Sequence, residues 1–147
     1  MKTITLFAGM LLWIGAGPAL AQGGAPSRSA APPTASVYII SPAAGETVSS
    51  PVTVKFGLQG MGVAPAGIEM ANTGHHHLLI DVATLPPEGQ PLPATDQVRH
   101  FGAGQTETTI DLSPGRHTLQ LVLGDHLHIP HQPPVRSERI TINVVAR

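Results

Sequence analysis

The sequence of residues 113–123 is SPGRHTLQLVL, a turn signal followed directly by an alternating apolar run. Proline presets the backbone for a turn and glycine adopts conformations that other residues avoid, so Ser113-Pro114-Gly115 predicts a tight turn. Beyond it, Leu119, Leu121 and Leu123 share one face of an extended chain, because side chains alternate between the two faces of a strand. The stretch therefore predicts a strand with one buried face, as in a β-sandwich.

Five more short apolar runs flank this strand, bounded by turns that contain glycine or proline, and no long stretch has the helical period. We predict strands at residues 37–40, 52–58, 75–82, 106–112, 116–123 and 139–145, with room for short edge strands in 86–103. In the second of these, Val52, Val54 and Phe56 lie on the same face. Strands at this spacing predict an all-β fold, an immunoglobulin-like antiparallel β-sandwich.

The N-terminal residues are typical of a secretory signal peptide. Lys2 supplies the positive charge, residues 4–14 an apolar segment, and Ala19-Leu20-Ala21 a small-residue cleavage site. We therefore expect cleavage after Ala21, a location in the periplasm or outside the cell, and no membrane attachment of the mature chain. The predicted organisation is a signal peptide over residues 1–21, a flexible proline-rich linker over 22–34, and one sandwich domain over 35–147.

Composition excludes several classes of site and partner. The chain has no cysteine, so it has neither disulfides nor thiolate ligands, and a metal ion must be held by histidine, carboxylate, methionine or backbone groups. The formal net charge is −1 and only 3% of residues are aromatic. Nucleic-acid binding is not expected, because it requires a basic patch and is helped by aromatic stacking.

The eight histidines are distributed unevenly, with six of them in two short clusters. One cluster is His75-His76-His77, and the other contains His126, His128 and His131. Imidazole is the commonest metal ligand in proteins, and a site requires three or four such groups at one point. In an immunoglobulin-type sandwich, the strand that begins with the first cluster lies antiparallel to the strand that precedes the second. Both clusters are therefore expected at the same end of the domain.

Strand alternation selects the candidate ligands. If the strand over 116–123 continues past Gly124 without a bulge, His126 and His128 point away from the core, as His75 and His77 do. The predicted ligands are His75, His77, His126, His128 and His131, and a second group of candidates consists of His76, His100, Met61 and Met70. Asp81 and Asp125 are predicted to orient an imidazole through its second nitrogen. Asp125 has an alternative role, which is to cap the turn after Leu123.

His117 is expected to behave differently from the clustered histidines. It lies at the start of its predicted strand, at the opposite end of the domain, on the side of Leu119 and Leu121. We predict a mostly buried, structural imidazole that takes no part in metal binding.

Three functions are consistent with these features. The favoured one is a histidine-rich metal-binding protein for copper, with zinc next, because imidazole sites without thiolate bind Cu(II) above Zn(II). Binding, storage and delivery of the ion all remain open. The first alternative is a metal-free interaction module that meets a protein partner in the cell envelope. The second is a metal-dependent enzyme, which is less favoured because no hydrolase or phosphate-binding motif is present.

Two resemblances accompany this interpretation. The segments 40–52 and 112–119 resemble the opening and penultimate strands of bacterial immunoglobulin-like modules. Four ordered motifs at residues 60–67, 74–81, 101–107 and 117–135 resemble a family of small exported bacterial proteins catalogued as a domain of unknown function. The second resemblance implies an exported β-domain whose signatures are GHHHLLID and GDHLHIPH, and it implies no activity.

Overall fold

A computed structural model of the protein describes residues 28–146. The predicted signal peptide over 1–21 and the first part of the predicted linker lie outside the described residues. Within the described range, no helix is long and apolar enough to cross a membrane.

Residues 28–146 form nine strands in two sheets that pack face to face. The strands are β1 (Ser36–Ser41), β2 (Thr47–Ser49), β3 (Val52–Gln59), β4 (Gly62–Val63), β5 (Thr73–Ile80), β6 (Val98–His100), β7 (Glu107–Ile110), β8 (Gly115–Gly124) and β9 (Ile140–Val145). One sheet has the order β1-β3-β7, and the other has the order β2-β9-β8-β5-β4, with β6 paired to β5. The predicted all-β sandwich is confirmed. All six predicted strands are present, and β6 occupies part of 86–103.

The main core lies between the two sheets and follows the predicted alternation. Val54 from β3 and Leu119 and Leu121 from β8 are 0% exposed. Burying one such side chain stabilises the fold by roughly 1.5–3 kcal/mol. The remaining buried members of this core are Val37, Val52, Phe56, Leu78, Ile80, Phe101, Ile110, Leu123, Val135, Ile142 and Val144.

Strand β5 is buried on both faces, which is unusual for a strand in a two-layer sandwich. Leu78 and Ile80 pack into the main core. Leu79 points the other way and packs with Leu92, Val98 and Val122 in a second apolar cluster, joined by Val82 and Leu85. The outer face of this sheet is therefore covered by the segment between β5 and β6 and shielded from water.

The antiparallel pairing of β5 with β8 has the register His75↔Gly124 and His77↔Val122. This is the neighbour relation that the sequence predicts, and it places the start of β5 beside the end of β8. On the other side of β5, His77 pairs with His100 of β6. The sheet therefore brings histidines from two adjacent strands to one end of the domain.

The chain leaves β8 at Gly124, so the strand does not continue to His128, and the condition on which the outward direction of both His126 and His128 depended is not met. Instead, a turn closes through two backbone hydrogen bonds, from the His128 N–H to the Asp125 carbonyl and from the Asp125 N–H to the Ile129 carbonyl, each 2.9 Å long. As a result Leu127, which a continuing strand would turn inward, is 43% exposed. His128 has a left-handed backbone with φ of 67°.

The predicted strand over 75–82 also ends early, at Ile80. Asp81 has a φ of 55°, which lies in the left-handed region and takes the chain out of the sheet. Val82 therefore packs in the second apolar cluster instead of following Ile80 into the main core.

The end of the predicted linker is fastened to the domain. Ala30 forms a parallel bridge with Gln132. The Ala31 N–H donates to the Gln132 carbonyl at 3.0 Å, and the Gln132 N–H donates to the Ser29 carbonyl at 2.9 Å. Composition alone predicts a free tether here, but these backbone groups find partners on the loop after β8.

Candidate metal centre

Four imidazoles meet on the outer face of the β5–β8 sheet, and they form what we call the histidine cluster. Its members are His75 and His77 from β5, His100 from β6 and His128 from the turn after β8. Their ring centroids are separated by 4.6 to 6.0 Å. The expected convergence of the two sequence clusters is thus observed, with His128 as the representative of the second.

Three of these rings already approach the geometry of a metal site. Nitrogen atoms of His75, His100 and His128 all lie within 4.8 Å of one another. Imidazole nitrogens bind zinc at about 2.0–2.1 Å, so each of the three needs to move inward by less than about 1 Å to share one ion. Rotation about the side-chain torsions supplies a movement of this size.

Local structure explains why these side chains meet. His75 and His77 are two residues apart on a strand and therefore share a face. His100 is the direct cross-strand partner of His77, and such partners have Cβ atoms roughly 4.5–5.5 Å apart. His128 reaches the same face from the turn, where its left-handed backbone directs the ring toward β5.

Two of the rings are fully buried without hydrogen-bond partners. His75 and His77 are 0% exposed, and among residues 28–146 none of their four ring nitrogens has a hydrogen-bond partner. Leaving a buried polar group unpaired costs about 1–3 kcal/mol. Coordination of an ion by one nitrogen of each ring would remove part of this cost.

The cluster also sets the protonation state of its imidazoles. Burial, together with the nearby His100 and His128, lowers the pKa of His75 to about 4. Burial and the neighbouring His75 lower the pKa of His77 to about 3. His100 is exposed overall, and its pKa is lowered by the partial desolvation of its ring and by His128. Neutral imidazole is the form that binds metals, so the buried rings carry free lone pairs at neutral pH.

Two glycines provide the room for the rings. A Cβ atom at Gly102 would lie 2.2 Å from Cε1 of His100, and one at Gly124 would lie 2.7 Å from Cε1 of His77. Neither glycine has a positive φ, so space rather than backbone conformation favours glycine at these positions. They form the walls of the site.

Two predicted ligands lie outside the cluster. His126 lines a separate cavity of about 310 Å³ together with Met70. His131 is 1% exposed, and its Nε2–H donates to the Thr73 carbonyl oxygen at 3.1 Å. His131 thereby ties the loop after β8 to the start of β5.

Of the second group of candidates, His76 and Met61 also lie apart from the cluster. His76 faces the main core, where its ring centroid is 5.2 Å from that of Phe56. Met61 packs against the same core. His100, by contrast, belongs to the cluster although its path could not be derived from the sequence. The short alternation Val98-Arg99-His100 was the available signal, because it predicts a strand with Val98 and His100 on one face.

The two carboxylates predicted to orient an imidazole of the site have other partners. Asp81 accepts hydrogen bonds from the Thr118 N–H and from His117, both at 2.7 Å. Asp125 caps the turn after β8, accepting hydrogen bonds from the Leu127 and Ile129 N–H groups at 2.9 and 3.0 Å. Burial raises the pKa of Asp125, but its hydrogen bonds outweigh burial and lower it overall. The alternative role that the sequence suggests for Asp125, which is to cap the turn after Leu123, therefore matches the geometry.

Asp81, His117 and Ser113 are arranged in the order of a hydrolase triad, far along β8 from the cluster. The His117 Nδ1 lies 2.7 Å from Asp81 Oδ2, and its Nε2 lies 3.5 Å from Ser113 Oγ. The same Nε2 also lies 2.8 Å from the Ser113 carbonyl oxygen. Both ring nitrogens thus face acceptors, which suits an imidazolium. The hydrogen bond to Asp81 raises the pKa of His117 accordingly. Because Nε2 faces the Ser113 carbonyl oxygen more closely than it faces the Ser113 hydroxyl, it is not placed to take a proton from serine, and this group is a structural clamp.

A family described as a domain of unknown function (DUF4399) matches residues 54–145, more than half of the 147-residue chain. The matched segment contains all four members of the histidine cluster. No curated protein and no solved structure matches the chain.

The glycine walls generate a direct test of the cluster. In Gly102→Ala the new Cβ displaces the His100 ring, so we expect metal affinity to fall by about tenfold or more, as for other disturbances of ligand orientation. Gly62→Ala is the matched control, because its Cβ would meet only Thr73 Cγ2, at an ordinary 3.5 Å. Calorimetric titration with Zn(II) measures both variants. Equal affinities in the two variants would contradict the geometry of the cluster.

The clamp generates a second test. His117→Ala should leave metal stoichiometry unchanged and lower the free energy of unfolding by about 1 kcal/mol at about pH 6, through loss of charged hydrogen bonds. Its folded-state pKa is raised, so this stabilisation is complete below the unfolded pKa and disappears as pH rises through the folded value. Urea unfolding of wild type and variant at about pH 6 and pH 9 measures the difference. A loss of stability that is the same at both pH values contradicts the clamp.

Proposed function

We propose that this chain, which belongs to the DUF4399 family, is a periplasmic histidine-rich protein that binds one transition-metal ion in the histidine cluster. The observation that carries the proposal is the convergence of four imidazoles, two of them fully buried with ring nitrogens that find no hydrogen-bond partner among residues 28–146. Protein cores rarely keep such groups without a partner, because each one costs free energy. A bound ion would supply the missing partner.

Copper is the favoured ion and zinc the next. The donor set is entirely imidazole, and such sites bind Cu(II) most tightly among the divalent first-row metals. Three or four histidines also satisfy tetrahedral Zn(II). Met61 and Met70 lie outside the cluster, so neither of these thioethers adds a preference for Cu(I), and the choice of copper rests on the imidazoles.

The exposure of the four ligands favours delivery of the ion over storage. His75 and His77 are completely buried, whereas His128 is half-buried and His100 is exposed. His100 also lines an open groove of about 720 Å³. An incoming ligand can therefore approach the ion from the His100 side and begin an exchange without unfolding the sheet.

The proposed location and fold type have separate support. Export to the periplasm rests on the signal-like sequence of residues 1–21. An immunoglobulin-like assignment is supported by the strand order, with β1-β3-β7 in one sheet and β9-β8-β5 in the other.

A metal-free interaction module is the second candidate function, and one observation favours it. Val63, Ile68 and Leu127 are exposed apolar side chains at the end of the domain that holds the cluster. The hydrogen bond from the Gly67 N–H to the His126 carbonyl joins their two loops. An envelope protein could dock on such a surface.

An enzymatic role has less support, because Asp81 and Asp125 are both engaged in structural hydrogen bonds.

Removal of the buried ligands tests the proposal. His75→Ala/His77→Ala should fold and lose Cu(II) and Zn(II) affinity by at least about 100-fold, since losing ligands costs more than disturbing their supports. His100→Gln is a second variant that removes one ligand. Because His100 is exposed, this substitution should affect folding least. His117→Ala is the matched control, because it removes an imidazole outside the cluster. If wild type binds neither ion, or the double variant binds as wild type does, the interaction module becomes the better account.

The lowered pKa values predict an unusual pH dependence of Zn(II) affinity. Four imidazoles with ordinary pKa values near 6.5 would lose about 10⁴-fold in affinity between pH 7.5 and 5.5, about tenfold each. His75 and His77 stay neutral until about pH 4 and 3, so protons do not compete with the ion at these two ligands over this interval. We expect a loss of at most about 100-fold over this interval. A loss near 10⁴-fold, measured by competition titration, would contradict the burial of these rings.

A further inference from the structure

A short N-terminal segment, residues 28–31, lies across the loop that follows β8, and we call it the strap. Besides its backbone bonds to Gln132, the strap contributes the guanidinium group of Arg28. This group donates to the Pro130 carbonyl at 3.0 Å and also to the His131 carbonyl, and it pairs with Glu88. The strap therefore fastens the loop at several points.

Ser29 carries the connection from the strap to the turn. Its hydroxyl donates to Asp125 Oδ2 at 2.9 Å. The other oxygen of Asp125 accepts from the Leu127 and Ile129 N–H groups on either side of His128. Asp125 is 2% exposed, so water contributes little to holding this carboxylate, and the Ser29 hydroxyl holds the oxygen that the turn N–H groups leave free.

The position of His128 depends on this turn, whereas the other three imidazoles of the cluster are positioned by strands. His75, His77 and His100 are placed by the hydrogen bonds of the sheet. His128 instead lies in a turn, with a left-handed φ of 67°. Non-glycine residues persist in this region only where neighbouring bonds hold them.

We propose that the strap is a positioning element for the metal centre, acting through Ser29 and Asp125 on His128. This inference rests on the proposed function and deepens it, because it makes the fourth ligand dependent on the segment that precedes the sandwich. Ser29 and Asp125 are positioning residues, and neither touches the ion. The site is complete only when the strap is docked.

The decisive experiment is a double-mutant cycle on the full chain with Cu(II) as the probe. Ser29→Ala should weaken Cu(II) binding by about tenfold, and pulsed electron paramagnetic resonance should show one imidazole fewer on the ion. In the His128→Ala background the same substitution should have no further effect, because both changes remove the same ligand. Ser29→Thr keeps the hydroxyl and should restore binding.

Ser137→Ala is the control for a general loss of stability. The Ser137 hydroxyl is also buried and accepts a hydrogen bond from the Leu121 N–H at 2.9 Å, but Ser137 lies in the segment before β9 and makes none of the hydrogen bonds that hold the turn around His128. The Ser137→Ala substitution should lower the free energy of unfolding without changing the number of imidazoles bound to the ion. Wild-type affinity in Ser29→Ala, or an equal loss in the His128→Ala background, overturns the inference.

Hydrogen exchange of the metal-free protein separates this inference from the proposed function. Ser29→Ala should speed exchange of the Leu127 and Ile129 amides, which Asp125 holds. If wild type binds no copper but these amides lose protection, the metal function fails and the structural link between strap and turn stands. Unchanged protection shows that the strap does not hold the turn and overturns the inference.

Discussion

The pairing of β5 with β8 and β6 is the constraint from which the rest of the site follows. A strand whose residues alternate must place His75 and His77 on one face, and the register opposite Gly124 puts that face beside the turn that carries His128. The pairing of β6 with β5 adds His100. A shift of one residue in this register would move His75 and His77 to the opposite face and disperse the cluster.

Shielding of the outer face gives this geometry its chemical character. The second apolar cluster, which contains Leu79, Leu92, Val98 and Val122, continues the sheet face on which the imidazoles lie. Exclusion of water lowers the pKa values of His75 and His77, and in the described part of the chain their ring nitrogens have no hydrogen-bond partner. Burial alone does not mark a metal site, because His76 in the main core is equally buried and has no hydrogen-bond partner for its ring among the described residues. What distinguishes the histidine cluster is that its imidazole nitrogens converge on one point. On the proposed function, the exposed His100 then makes the ion exchangeable.

The sequence predicts those features that depend on alternation and on strand order, and it fails where the chain turns. The strands, the inward faces of β3 and β8, and the meeting of both histidine clusters all follow from period-two patterns and turn residues. The identity of the fourth imidazole in the histidine cluster does not follow, because Gly124 allows either a bulge or a turn, and the observed turn brings in His128 and leaves out His126. His100 was only in the second group of candidate ligands, because the side-chain alternation of a three-residue edge strand is too short to predict the strand. The docking of the strap could not be predicted from its composition. It is held in part by backbone hydrogen bonds, and these leave no pattern in the side chains.

The central claim, that the histidine cluster holds a transition-metal ion, is tested most directly by the metal content of the untagged protein purified from the periplasm. The account predicts about one copper or zinc ion per chain, a single site being all that four imidazoles form. X-ray absorption should show imidazole nitrogens at about 2.0 Å. The His75→Ala/His77→Ala variant, purified in the same way, should be metal-free. Metal-free wild type that also fails to take up added copper and zinc, or equal metal content in both proteins, would contradict the account.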